Sequence, residues 1–166
     1  MGLFDFQIAE VAVRAGLVGV SPMPGRNGAY ASDINSILRW GADIVVTLTS
    51  TEELQVQGAS SMGEDLAAAG VMWRHLPIKD FGALDGDSTG WGKTAEACSA
   101  KLDKGGRVLV HCSAGCGRSG MVALRLMVEA GEDAVTALER LRAERPCAVQ
   151  TDNQFEWAAL PMRARD

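Results

Sequence analysis

Two residues with five others between them, Cys112 and Arg118, have the types and spacing to do chemistry. They lie in the stretch His111-Cys112-Ser113-Ala114-Gly115-Cys116-Gly117-Arg118-Ser119-Gly120. Glycines at 115 and 117 let the backbone curl so that successive N–H groups converge. The helical pattern that follows, Met121 to Glu129, adds the unpaired N–H groups and the positive dipole end of a helix N-terminus. Such a cup suits an oxyanion with several oxygens. Arg118 can clamp two of them with its planar fork. The N–H groups of Ser113, Ala114, Gly115, Cys116, Gly117 and Arg118 can take the others, and Cys112 stands at the floor as a sulfur nucleophile. A nucleophile beneath a bound phosphate is arranged for phosphoryl transfer.

The same residues leave other readings open. They are a buried structural cysteine in a glycine-rich turn, a rhodanese-like sulfurtransferase, and a phosphate-binding module that has lost catalysis. The pattern His-Cys-x5-Arg-Ser nevertheless resembles the signature of the protein tyrosine phosphatase superfamily, in its spacing, both glycines and the final Ser119. Two further stretches, Pro77-Ile78-Lys79-Asp80-Phe81-Gly82 upstream and Arg145-Pro146-Cys147-Ala148-Val149-Gln150-Thr151 downstream, look like the compact dual-specificity group. Within it the chain is similar to bacterial and archaeal members and to the cyclin-dependent-kinase-associated phosphatase type, over roughly residues 16 to 160.

The resemblance implies a hydrolase of phosphate monoesters that works through a phosphocysteine on Cys112, without metal or cofactor. Arg118 and the loop N–H groups would hold the phosphate. Ser119 would hydrogen-bond the sulfur and help it leave, although a helix cap also explains a serine there. Asp80 would protonate the leaving group, with Asp85 and Asp87 as alternative loop acids. Gln150 would place the hydrolytic water, with Gln154 as second candidate; Thr151-x-x-Gln154 is also a capping box. His111 would order the loop by bonding to backbone, its side chain pointing away from the site by strand alternation, and His75 reads as core or surface. Phe81-Gly82 could aid loop closure or pack beside an aromatic substrate. Cys116 is either a small loop residue or a partner that traps an oxidised Cys112 as a disulfide, with Cys147 and Cys98 as weaker candidates.

These residues need elements to position them. Gly16 to Ser21, the β-branched run Asp43 to Leu48, Val71 to Ile78 and Arg107 to Val110 predict strands. Between them, Ser32 or Asp33 could cap a helix through Ile34, Ile37, Leu38 and Trp40. Ser50-Thr51-Glu52-Glu53 is a capping box opening a helix, and Gly63 to Ala69 is a further helical piece. Lys79 to Ser88 is a loop, and a helix follows from about Thr89 to Leu102. After the organising loop come its own helix to Ala130, a helix over Ala134, Leu138 and Leu141 stopped by Arg145-Pro146, and a last helix from Thr151 to Leu160. The segment Phe4 to Val13 is ambiguous. Alternating strands and helices predict an α/β fold, a single phosphatase-like domain over residues 1–166 with a mainly parallel central sheet flanked by helices on both faces.

Composition narrows the partners. A net charge of −5 over 166 residues argues against a nucleic-acid or anionic-membrane surface. No apolar run is long enough to span a bilayer, and Met1 to Phe6 has neither a signal-peptide pattern nor the hydroxyl that myristoylation expects at Phe6. The spacing of the four cysteines fits neither a zinc site nor a secreted disulfide framework, so a reducing cytoplasm is the expected location. The loop carries no lysine, which lowers the case for a lipid phosphate. The expected substrate is a phosphorylated protein, phosphotyrosine first with phosphoserine and phosphothreonine open, or a small phosphorylated metabolite.

Overall fold

The computed structural model describes residues 5–84 and 90–165, so the alternative acids Asp85 and Asp87 lie outside the described residues. Five strands form one sheet: β1 (Ala9–Val13), β2 (Gly16–Ser21), β3 (Ile44–Thr47), β4 (Met72–His75) and β5 (Arg107–His111), in the spatial order β1-β2-β5-β3-β4. Strands β2, β5, β3 and β4 are parallel; β1 is antiparallel to β2. The helices are α1 (Tyr30–Trp40), α2 (Thr51–Val56), α3 (Met62–Ala68), α4 (Trp91–Asp103), α5 (Gly117–Glu129), α6 (Ala134–Glu144) and α7 (Asp152–Arg165).

The β-branched runs form central strands because residues on both faces are covered. Strand alternation sends Val108 and Val110 of β5, with Ile44 and Val46 of β3, into one core with α4, α5, α6 and α7. Leu109 and Val45 enter the other core, with Ile34 and Ile37 of α1, Leu54 of α2 and Leu66 of α3. β5 is inserted between β2 and β3, so the C-terminal ends of these three parallel strands meet at one edge, Ser21 beside His111 and His111 beside Thr47. A crevice at that edge, where strand order reverses, is where ligands sit in such sheets.

Three expectations shift. The ambiguous N-terminal segment is an edge strand, visible only through its pairing with β2. α1 begins two residues before Ser32, with Ala29 at its N-cap. Asp33 is therefore inside the helix, where its buried carboxylate accepts from the Gly25 N–H at 2.9 Å and braces the β2–α1 loop instead of capping. α5 begins at Gly117 rather than Met121, which puts Arg118 and Ser119 in its first turn.

α5 is the central helix, with nearly its whole length buried beneath α6, α7 and the sheet. Leu124 is fully buried there. Leu124→Ala is expected to cost about 3 kcal/mol, the usual scale for an unfilled leucine site. Urea unfolding should show a lower midpoint with an unchanged slope.

Candidate active site

The loop from Cys112 to Cys116 joins β5 to α5 at the crevice. Its carbonyls are all held from outside. Ser113 C=O accepts from Met23 N–H at 3.0 Å. Ala114 C=O accepts from Arg145 Nη2 at 2.8 Å and Gly115 C=O from Arg145 Nε at 2.9 Å. Cys116 C=O accepts from Gly120 and Val149 N–H groups. Because the C=O and N–H of a trans peptide point in opposite directions, the N–H groups of Ala114, Gly115, Cys116 and Gly117 are turned inward. Gly115, at φ +76°, is required here: a Cβ would collide with the backbone of Ser21 and Pro22.

Cys112 is 3% exposed, with its Sγ 3.2 Å from Ser119 Oγ. Ser119 does not cap α5; Cys116 occupies the N-cap position. Arg118 is 2% exposed and forks onto Glu53, Nη1 to Oε2 and Nη2 to Oε1, both at 3.0 Å. Nη1 also donates to Ile78 C=O at 3.1 Å. Its Nε is buried and has no partner among the described residues. A buried orphan donor on a charged group is costly unless a ligand accepts it, so this nitrogen is a candidate contact for an oxyanion. Burial acts to lower the pKa of Arg118, but bonding to Glu53 and the negative fields of Cys112, Glu53 and Asp80 outweigh it and raise it. Burial likewise acts to raise that of Glu53, and its bonds to Arg118 and Ser50 bring it below the usual carboxylate value.

Asp80 lies across the crevice, its Oδ1 3.6 Å from Arg118 Nη2 and its side chain 60% exposed. The same oxygen accepts from Phe81 N–H at 3.0 Å. Gln154 is fully buried, closes the capping box of α7 with Thr151, and donates to Gly82 C=O at 3.1 Å, which ties the Asp80 loop to α7. Gln150 is exposed, and its side-chain oxygen is packed so close to Gly117 that a Cβ there would strike it. Of the two glutamines, Gln150 has its amide at the cup and Gln154 is occupied in bracing.

His111 faces the other core. Its Nδ1 bonds Cys112 C=O at 3.1 Å, so that nitrogen must carry the proton; Nε2 then accepts from Thr47 Oγ1 at 2.7 Å. Thr47 Oγ1 itself accepts from Trp73 Nε1 at 2.7 Å. His75 stacks on Trp73 and bonds the Thr49 carbonyl, away from the loop.

The cysteine expectations are overturned in two ways. Cys116 is bonded to Cys147, not poised for Cys112, and the chain holds a disulfide that the spacing of its cysteines did not suggest. Both sulfurs come from connecting segments 31 residues apart that meet only when the α6–α7 connection wraps the loop. Cys98 and Cys112 are free.

The chain is similar to known phosphatases throughout. Residues 87–159 match the family model described as dual specificity phosphatase, catalytic domain. Among solved structures, Tk-PTP in its active form is 30% identical, with 90% of this chain and 92% of that chain covered and a TM-score of 0.71. The chain belongs to the protein tyrosine phosphatase superfamily, in its compact dual-specificity-like group. Kinase associated phosphatase, with its catalytic-site cysteine replaced by serine, shares the fold at 19% identity, 96% of each chain and a TM-score of 0.83. PTPMT1 in complex with PI(5)P does so at 16% identity, 94% of this chain and 96% of that chain, and a TM-score of 0.69. No curated protein sequence matches the chain.

Sequence reasoning missed three residues of this phosphatase site. The sequence marks Glu53 only as the end of a capping box and Arg145 only as a helix stop, yet Glu53 holds Arg118 and Arg145 bonds the loop carbonyls. Arg26 is the third: its Nη1 donates to Ser113 Oγ at 2.7 Å. A cavity of about 290 Å³ opens beside the loop, lined by Glu52, Glu53, Val56, Gln57 and Ser113. Among the described residues no group of three or more His, Cys, Asp or Glu side chains could hold a metal ion, and no helix is long and apolar enough to cross a membrane.

Burial pushes the His111 imidazole down to about 4, with the fields of His75 and Arg118 acting the same way and its bond to Cys112 C=O opposing. Between that value and the ordinary 6.5, the unfolded chain binds a proton that the folded chain refuses. Stability should therefore rise with pH across this window and level off above it, a change on the order of 3 kcal/mol. Urea midpoints measured from about pH 4.5 to 7 check this; the difference in slope between wild type and His111→Gln isolates the histidine from the carboxylates.

Proposed function

We propose that this phosphatase hydrolyses phosphate monoesters of proteins through a phosphocysteine, with phosphotyrosine as its main substrate. The observation that carries the reading is the unpartnered, buried Nε of Arg118 beside inward-turned loop N–H groups, with Cys112 Sγ at the base. Phosphate oxygens would complete Arg118 and the N–H groups, and these donors would gain strength as charge spreads in the transition state.

In the first step Cys112 Sγ bonds to phosphorus while the ester P–O bond breaks in line. Asp80, held near Arg118 at the mouth, gives its proton to the departing oxygen. In the second step a water held by the Gln150 amide attacks phosphorus, the P–S bond breaks, and the Ser119 hydroxyl hydrogen-bonds the departing sulfur. Asp80, now the carboxylate, accepts the proton of that water.

Phe81 supports an aromatic phosphoester. It is 59% exposed at the rim, next to the acid, and held at φ +61°. A bulky residue at positive φ is costly, and such strain gathers where a binding surface is fixed. The absence of lysine from the loop weighs against polyanionic lipid phosphates.

Para-nitrophenyl phosphate hydrolysis in the presence of EDTA tests the central claim. Wild type should turn over and Cys112→Ser should lose activity by at least about 10³-fold, the scale for removing a nucleophile. EDTA-sensitive turnover, or activity surviving the substitution, would count against it. Asp80→Asn should slow phenyl phosphate about 100-fold, but an ester with a very good leaving group far less, since only the poor leaving group needs the proton. Equal losses on both would assign the acid elsewhere.

A further inference from the structure

The disulfide lies against the phosphate loop itself. Cys116 is the N-cap of α5, the helix whose N-terminus would face a bound phosphate, and Cys147 sits in the connection that delivers Arg145 and Gln150 to the loop. The two sulfurs lie near the loop's outer carbonyls, which the Arg145 guanidinium holds. Cys116 Sγ is 3.8 Å from Ala114 O, where Arg145 Nη2 is at 2.8 Å. Cys147 Sγ is 3.8 Å from Gly115 O, where Arg145 Nε is at 2.9 Å. Cys116 is only 4% exposed, whereas Cys147 is half-buried, so an external thiol meets the Cys147 sulfur first. Neither group is used by the phosphoryl chemistry. Cys98 cannot take part in exchange, being enclosed in the core with its thiol pushed up to about 12 by burial.

We propose that Cys116 and Cys147 form a reversible dithiol–disulfide site that sets the phosphate affinity of the loop, high with the bond closed and lower with it open. The inference rests on the phosphate-binding part of the reading above. Opening is thiol–disulfide exchange with a low-molecular-weight thiol. Its thiolate attacks Cys147 Sγ, the S–S bond breaks, and the electron pair leaves on Cys116 Sγ. A second thiolate then attacks the mixed disulfide, releasing Cys147 as thiolate and the small molecule as its disulfide. The chain gains two electrons, and the same small disulfide run in reverse closes the bond.

Cys116 is suited to be the leaving sulfur. A thiolate at a helix N-terminus and next to a guanidinium is stabilised, and a stabilised thiolate leaves faster. Once free, however, that anion occupies the same N-terminus as the phosphate dianion. At this loop Cys112 acts electrostatically on Arg118 and Arg145, Glu53 and Asp80 pair with Arg118, and Arg26 bonds Ser113. The cations that served one cysteine and one phosphate must then also serve a second sulfur anion. In the closed state the pair is neutral and the cup is left to the ligand. Reduction would thus weaken this phosphatase's grip on its ligand without touching Cys112.

Calorimetric titration with inorganic phosphate near pH 8 tests this on the full chain, before and after reduction, with alkylation under denaturing conditions to count free thiols. Reduction should weaken phosphate binding about fivefold, the low end of couplings between two states of one site. Cys147→Ser and Cys116→Ser both lack the disulfide, but only the first keeps the sulfur anion at the helix start. Cys147→Ser should therefore bind phosphate about fivefold more weakly than Cys116→Ser, and neither should respond to reductant. Equal affinities in the two variants would overturn the proposal, because a merely structural bond would be missed equally by both. So would an unchanged affinity in wild type whose alkylation shows the bond fully opened. Binding is read without turnover, so a chain that shows this dependence yet hydrolyses no monoester would sink the phosphocysteine reading and leave the switch standing.

Discussion

The site depends on one buried ion pair. Arg118 is all but removed from water, and a guanidinium so placed is tolerable only with its hydrogens matched. Glu53 matches two of its nitrogens in a fork, and the Ile78 carbonyl adds a bond from the segment after β4 that leads to Asp80. The Glu53 carboxylate is itself fixed, since Oε2 also accepts from Ser50 N–H at 2.9 Å in the capping box of α2. One carboxylate therefore joins the start of α2, the first turn of α5 and, through Arg118, the loop carrying the acid. What remains of the arginine is Nε, unmatched among the described residues and, on the proposed reading, the donor left for a substrate oxygen.

A second set of contacts shapes the cup from behind. The connection from α6 to α7 crosses the outside of the phosphate loop and takes its carbonyls with Arg145 and with the Val149 N–H. Val149 adopts φ +66°, an unfavourable backbone for a β-branched residue, which the surrounding bonds hold in place. Each carbonyl drawn outward turns an N–H inward. The inward N–H cup is thus made by bonds from behind it, and the disulfide is one more link across the same seam. The same connection then places Gln150 against Gly117, so the Gln150 amide and the loop N–H groups share one support.

How much of this could be read in the chain differs by kind of residue. The β-branched runs gave β3 and β5, because a strand covered on both faces must be apolar at every position. The edge strand β1 escaped notice, since its mixed run Ala9 to Val13 has no local signal beyond its partner across the sheet. α5 was placed four residues late, because Gly117 and Gly120 argue against a helix on propensity and are there to let Gln150 and the Ala148 backbone approach closely. Gln154 was legible as a capping residue because its partner Thr151 is three residues away. Glu53 was legible in the same way, but only in that role.

The central pattern is local in the sequence: a cysteine and an arginine at a fixed separation across a glycine turn between strand and helix. Those groups are neighbours along the chain, so they were legible there. The distant groups that shape and complete the turn come together only through long-range folding. Glu53 lies 65 residues from Arg118, Arg145 lies 30 from Gly115, and Cys147 lies 31 from Cys116. Nothing in the composition or spacing of those residues marks them, because what selects them is the insertion of β5 between β2 and β3. That strand order gathers the loops at one edge of the sheet, where a buried guanidinium and a ring of outward carbonyls must find partners.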